Sequence, residues 1–230
     1  MKIIKNIFKF IGKFIIWCFV VSIVLVAVYK FFPVPLTPTM ILRVIEGVAD
    51  GKSVGIDKDW VSYDEISPNF FRAVISAEDA RFLRHNGVDW KAVEAAKKYN
   101  ASKKGKKLRG ASTITMQTAK NTFLWQGRNY IRKGLEVYFT YLIEPIWGKK
   151  RILEVYANVI EMGDGIYGVE AASQEFFNKP AKKLTKREAA LLAAVLPNPR
   201  KWSPAKPTKY INKRASFISG RMNSIALPKD

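Results

Sequence analysis

The stretch SPNFFRAVISAEDARFLRHNG, residues 67–87, combines a helix-start signal with a carboxylate in an unusual place. Ser67 suits an N-cap and Pro68 the first helical position, which predicts a helix from here. One stripe of that helix would carry Phe71, Val74, Ile75 and Glu78. A carboxylate on an apolar stripe is costly unless it is paired or neutralised. Glu78 is therefore either a working general base or a buried glutamate paired to a nearby arginine such as Arg81.

The rest of the chain after residue 67 is also typical of helices. Asp89 can cap a helix at Trp90–Tyr99, and Thr185 with Glu188 forms a capping box for a helix at Leu191–Leu196. Further helices are predicted over about residues 112–124, 130–143, 149–160 and 167–177. Before residue 67, a proline-rich spacer precedes short extended pieces expected at Met40–Ile45 and Ser53–Ile56. The fold class is therefore mainly α.

Residues 14–32, FIIWCFVVSIVLVAVYKFF, are almost entirely apolar and approach the roughly 20 residues that a membrane-spanning helix needs. A buried core helix or a cleaved signal peptide is the alternative. The absence of a polar face argues against a buried core helix. Bulky residues, rather than a small-residue cleavage site, follow the apolar run, which argues against a cleaved signal peptide. The preceding residues 1–13 contain four lysines, so the positive-inside rule predicts an uncleaved anchor with a cytoplasmic N-terminus and an exported domain.

The charge balance is unusual: 39 Lys and Arg against 19 Asp and Glu give a net charge of +20. Such a surplus indicates an anionic partner. An exported domain meets no nucleic acid, so anionic headgroups or a phosphate-bearing lipid fit better. Five of the cations crowd around Gly105 in the segment Ser102–Gly110, which is either an arm over substrate or a solvated linker. A single cysteine and a single histidine exclude a disulfide scaffold and a Cys/His zinc cluster.

Two further segments are candidates for chemistry. Arg132 and Glu136 stand four residues apart on a predicted helix, which on spacing alone favours a surface salt-bridge row. The segment GASTITMQ, Gly110–Gln117, opens a helix with small hydroxylated residues that can donate hydrogen bonds to an anion or sugar. Its alternative is a plain N-cap at Ser112.

Taken together, five segments resemble the five motifs of the peptidoglycan glycosyltransferases, in the family's order. They are Glu78–Gly87, Gly110–Gln117, Arg132–Glu136, Lys149–Asn158 and Arg187–Pro199. The likeness is closest to the monofunctional, single-anchor form of Gram-negative bacteria (family 51 glycosyltransferases). Two positions depart from the pattern: Met116 replaces a usual Gln, and Ala157 replaces a usual Leu.

This resemblance implies a lysozyme-like glycosyltransferase domain with head and jaw lobes at residues 59–204. A linker and jaw-side segment would cover residues 33–58, and a basic C-terminal extension residues 205–230. The implied reaction polymerises lipid II at the outer face of the cytoplasmic (inner) membrane. The GlcNAc 4-hydroxyl of one lipid II attacks C1 of MurNAc in the donor chain with inversion, and undecaprenyl pyrophosphate leaves.

The resemblance also assigns roles. Glu78 would remove the acceptor proton, and Glu136 would orient the substrate or the cations. Substrate-binding roles fall to Asp79, Ser112, Thr115, Gln117, Lys120, Arg128, Arg132 and Lys133. A divalent cation, Mg²⁺ or Mn²⁺, is compatible with the pyrophosphate, without named metal ligands. Implied partners are lipid II, the growing glycan, the anionic membrane surface and cell-wall synthesis or division proteins.

Two rival functions remain open on the sequence. A lysozyme-like hydrolase or lytic transglycosylase shares the fold class and the glutamate, but its leaving group is a sugar and needs no cations. An anchored, non-enzymatic scaffold predicts that neutralising Glu78 has no effect. The cations around Arg132 favour group transfer over the hydrolase.

Overall fold

The computed structural model describes residues 2–51, 55–102, 109–127 and 129–229, with side chains from residue 4 onward. The chain divides into two compact units, Met1–Pro33 and Val34–Asp230. Arg128 and most of the basic segment Ser102–Gly110 fall outside the described residues, so the predictions made for them stay predictions.

The first unit is one helix, α1 (Lys2–Phe31), and its part from Ile4 to Phe31 is long and apolar enough to cross a membrane. At 1.5 Å per residue its 30 residues extend about 45 Å. Most of its large apolar side chains are exposed, as suits a helix surrounded by lipid. The helix begins well before residue 14, so Lys5, Lys9 and Lys13 lie on the same helix as the apolar run.

The described residues of the second unit form eight α-helices. They are α2 (Pro38–Ala49), α3 (Pro68–Glu78), α4 (Trp90–Ser102), α5 (Ile114–Phe123), α6 (Tyr130–Val159), α7 (Val169–Phe177), α8 (Lys186–Val195) and α9 (Lys209–Met222). Short 3₁₀ turns occur at Tyr63–Glu65, Phe82–Arg84 and Ala181–Lys183. The predicted mainly α class is confirmed.

Three very short strands form a small sheet beside α7. The strands are β1 (Asp57–Lys58), β2 (Glu161–Gly163) and β3 (Ile166–Tyr167), in the order β1-β3-β2. β3 pairs in parallel with β1 and antiparallel with β2. Residues 164 and 165 form the turn between β2 and β3, with Gly165 at φ of 77°.

The core is built around α8. Every residue from Ala189 to Val195 is buried, as expected for a helix that is apolar on all sides. α3 and α9 both pack against α8 and against each other, while α5 packs along α6 and contacts α2. The predicted caps at Ser67, Asp89 and Thr185 are all present.

The structure corrects the prediction for the segment before β1. Met40–Ile45 was expected to be extended but lies within α2, because Thr37 accepts a hydrogen bond from the Met40 N–H and Pro38 occupies the first helical position. The boundary drawn at residue 204 also falls inside the packed unit, since α9 lies beyond it.

α6 contains the two helices predicted at 130–143 and 149–160, joined at a break. Gly148 has φ of 70° and ψ of 170°, a conformation that favours glycine. Pro145 lies inside the helix, and the break comes three residues later, at Gly148.

Candidate active site

Glu78 ends α3, with its side chain 19% exposed. Oε2 accepts a hydrogen bond from the side-chain amide of Gln117 at 3.1 Å, and Oε1 lies 3.4 Å from Nη2 of Arg214. The three residues come from α3, α5 and α9. A carboxylate contacted by donors on two other helices keeps a fixed orientation, and its remaining lone pairs can still accept a proton.

Arg81, the arginine named in the alternative interpretation of Glu78, has another partner. Its Nε lies 3.4 Å from Oδ2 of Asp89, the residue that caps α4. The chain leaves the helix at Asp79, where φ is −156° and ψ is 68°, and this turn carries Arg81 toward α4. The alternative in which Arg81 pairs with Glu78 is therefore wrong, and the cation beside Glu78 comes from α9.

Asp79 is buried and connects the end of α3 to the start of α5. Its carboxylate accepts the backbone N–H of Ile114 at 3.0 Å and contacts Nε2 of His85 at 3.0 and 3.1 Å. A carboxylate at a helix N-terminus is also favoured by the helix dipole. The contacts of Asp79 are thus to the protein itself, which fixes the turn after Glu78 in place.

The first turn of α5 borders a cavity next to Glu78. Thr113, not Ser112, is the N-cap: its hydroxyl accepts the N–H of Met116 and donates to the carbonyl of Gly87. Ser112 is left exposed. Ser112 and Glu78 line the same cavity of about 220 Å³, together with Arg81 and Arg109. The predicted contact of Ser112 with substrate is therefore geometrically accessible.

Among the next residues of α5, two lie in the core and one faces Glu78. Thr115 is fully buried, and Met116 is 3% exposed. Gln117 faces the other way and binds Glu78. Met116 is thus a core side chain here, and Thr115 does not reach the cleft surface in this structure.

Glu136 lies inside the protein, which overturns the expected surface salt-bridge row. Its side chain is 4% exposed; Oε2 accepts from Nη1 of Arg132 at 2.7 Å, and Oε1 accepts from Nζ of Lys133 at 2.6 Å. Arg132 also donates from Nε to the carbonyl of Gly127 at 2.8 Å. Arg132 and Lys133 line a cavity of about 360 Å³. One buried carboxylate therefore holds two cations at the wall of a cavity.

The start of α6 is inverted relative to an ordinary amphipathic helix. Arg132, Glu136 and Thr140, spaced four residues apart, are buried, whereas Ile131 is 77% and Leu135 37% exposed. An amphipathic helix ordinarily turns its apolar stripe toward the core, and periodicity alone does not distinguish which face is inside.

Lys120 lies in the electrostatic field of both glutamates. Burial lowers its pKa below the usual 10.5, because desolvation penalises the ammonium form. The carboxylates of Glu136 and Glu78 oppose that shift, and the cations of Arg132 and Lys133 add to it. Lys120 is thus a partly desolvated cation that gains from an anionic ligand.

The residues at the cleft do not match a protein-borne divalent cation site. Among the described residues, no three His, Cys, Asp or Glu side chains form a cluster that could hold a metal ion. Glu78, Asp79 and Glu136 each already contact a protein cation or donor.

The fourth segment of the resemblance, Lys149–Asn158, holds neighbouring parts of the backbone in place. Lys149 pairs with Glu144 and donates to the carbonyl of His85 at 2.8 Å, which fixes the loop after Glu78. Asn158 is fully buried and makes two hydrogen bonds to the backbone of Val61, at 2.9 and 2.8 Å. These contacts are structural and lie outside the cleft.

Arg214 is the site residue that the sequence analysis missed, because residues 205–230 were interpreted as a basic extension. A signal was present: Ile211, Ala215, Ile218 and Met222 recur at helical spacing after the N-cap Thr208. That pattern predicts an amphipathic helix with a buried face.

The fold and the site together define a mainly α enzyme with an apolar helix suited to a membrane and one carboxylate facing a cationic cleft. Residues 48–223 match the family model described as Transglycosylase. The chain belongs to this transglycosylase family, and it is a glycosyltransferase of peptidoglycan biosynthesis.

Similar proteins cover most of the chain. It is 53% identical over 221 residues to the biosynthetic peptidoglycan transglycosylase of Bdellovibrio bacteriovorus, covering 96% of this chain and 87% of that protein. Proteins of the same name from Rhodospirillum centenum and Caulobacter vibrioides are 54% and 52% identical, covering 84% and 85% of this chain and 81% and 82% of their own lengths.

Proposed function

We propose that this chain polymerises lipid II by inverting transfer, with release of undecaprenyl pyrophosphate. The observation that carries the proposal is that the site has two separate parts. One is a partly exposed carboxylate, Glu78; the other is a cationic wall, Arg132 and Lys133, held by buried Glu136. A glycosyl transfer needs a base at the acceptor hydroxyl and positive charge at the departing phosphate. The carboxylate and the cationic wall meet these two needs, and Lys120 lies in the electrostatic field of both glutamates.

In the proposed reaction Glu78 takes the proton of the GlcNAc 4-hydroxyl as its oxygen bonds to C1 of MurNAc. The bond from C1 to the pyrophosphate oxygen breaks on the opposite face, and its electron pair leaves with the lipid pyrophosphate. Lys120, Arg132 and Lys133 neutralise that developing charge. Arg132 offers a planar fork, which suits phosphate oxygens better than a lysine does.

A substrate comparison tests transfer against the lysozyme-like alternative. The purified full chain would be incubated with labelled lipid II in one arm and with preformed, lipid-free glycan strands in the other. Polymer from lipid II and intact strands are the expected results. Shortened strands without polymer would instead support a hydrolase, and no reaction in either arm would support a scaffold.

The anchor is proposed to hold the enzyme at the periplasmic face, with residues 1–13 in the cytoplasm. Lysines on that side of the apolar helix support this orientation by the positive-inside rule. A periplasm-dependent reporter fused after residue 230 should be active, and a cytoplasm-dependent reporter at the same place inactive. The reverse pattern would contradict the orientation and the access to lipid II together.

The lowered pKa of Lys120 predicts a specific pH dependence. As pH rises, Lys120 loses its proton earlier than an exposed lysine, so kcat/KM for lipid II should fall on the alkaline side. Lys120→Arg keeps its charge over this range and should move that fall to higher pH. Exposed Lys97→Arg is the matched control and should leave the profile unchanged. Identical alkaline profiles for wild type and Lys120→Arg would exclude Lys120 from phosphate neutralisation.

A further inference from the structure

The C-terminal helix α9 brings a cation to Glu78 from 136 positions away in sequence. Its inward face carries Ile211, Ala215, Ile218 and Met222, all buried. The hydroxyl of Ser76 on α3 donates to the carbonyl of Ile218 at 3.4 Å, which adds a polar contact between the two helices. Arg214 therefore stands on a helix that is packed directly against the one carrying Glu78.

The contact between Arg214 and Glu78 is suited to orienting the carboxylate. The 3.4 Å from Nη2 to Oε1 exceeds the 2.7–2.9 Å typical of a tight charge-assisted hydrogen bond. Oε2 is meanwhile contacted by Gln117 at 3.1 Å. Arg214 is 28% exposed, and its Nε is buried without a hydrogen-bond partner among the described residues. The guanidinium thus faces Glu78 without being committed to another carboxylate in the described part of the chain.

We propose that Arg214 is a positioning residue for Glu78: it fixes the orientation of the carboxylate toward the acceptor hydroxyl. This inference rests on the proposed role of Glu78 as the base. Charged groups near Glu78 include Arg214 from α9, Lys120 from α5, the adjacent Asp79, and Arg81 and Arg109, which line the same cavity. Of these, only Arg214 has a side chain within salt-bridge distance of the Glu78 carboxylate among the described residues.

The test compares Arg214→Met, which keeps an apolar stem, with Arg214→Lys and with Lys213→Ala, an exposed neighbour on the same helix. For Arg214→Met we expect kcat on lipid II to fall about tenfold, the loss typical of one hydrogen bond to a charged group, with KM within about twofold of wild type. Arg214→Lys should recover much of kcat, and Lys213→Ala should resemble wild type.

Two outcomes would overturn the proposal. One is a kcat for Arg214→Met equal to that of Lys213→Ala. The other is a loss of kcat that Arg214→Lys does not recover and that comes with a lower melting temperature, which indicates a purely structural residue. Failure of the underlying function is distinguishable, because wild type itself would then make no polymer.

Discussion

Glu78→Gln should lower the rate of glycan polymerisation by about 10²–10⁴, the typical contribution of a general base. The amide keeps the shape of the side chain and one acceptor oxygen, but it cannot take the acceptor proton. The variant should fold and still bind lipid II, because the phosphate-facing cations are borne by other residues. Polymer yield from labelled lipid II measures the rate, and co-sedimentation with lipid II vesicles measures binding.

An exposed glutamate provides the control for this change. Glu94→Gln on α4 removes the same charge from the protein and should leave the rate unchanged. A Glu78→Gln protein that retains more than about a tenth of the wild-type rate would show that Glu78 is not the base.

Glu136→Gln should impair donor binding rather than proton transfer. Its carboxylate accepts from Arg132 and Lys133 while only 4% exposed, so neutralising it leaves two cations without their shared partner. We expect KM for lipid II to rise, and stability to fall by about 1.5–3 kcal/mol, the range for a hydrogen bond to a charged group. Steady-state kinetics and denaturant unfolding measure the two effects.

Arg132→Ala supplies the matched comparison. Alone it should lower kcat/KM for the lipid II donor by the equivalent of about 1.5–3 kcal/mol. Combined with Glu136→Gln, the losses should be less than additive, because the two residues act as one unit. Additive losses, or normal polymerisation by Arg132→Ala, would contradict a joint role at the pyrophosphate.

Local signals predicted much of the fold correctly. The caps at Ser67, Asp89 and Thr185 act over three or four residues, so their helices could be located from sequence. The same signals, at Thr37 and Pro38, mark the start of α2, in which Met40–Ile45 was expected to be extended. The helix α9 was not predicted, because residues 205–230 were interpreted from their basic charge and not from the helical spacing of their apolar residues.

The site was harder to predict because its key contacts are long-range. The spacing of Arg132 and Glu136 is the same for a surface pair and for a buried one; only the packing of α6 against α5 distinguishes them. Arg81 is three residues from Glu78 yet pairs with Asp89, while Arg214 reaches Glu78 from α9. Proximity in sequence was thus a poor guide to the partner of the carboxylate.

Glycosyl transfer is tested most directly by following both products of labelled lipid II over time with the wild-type protein. We expect glycan polymer, with one undecaprenyl pyrophosphate released for each new glycosidic bond. Lipid pyrophosphate released without polymer, or polymer without matching release, would contradict transfer through the Glu78 cleft.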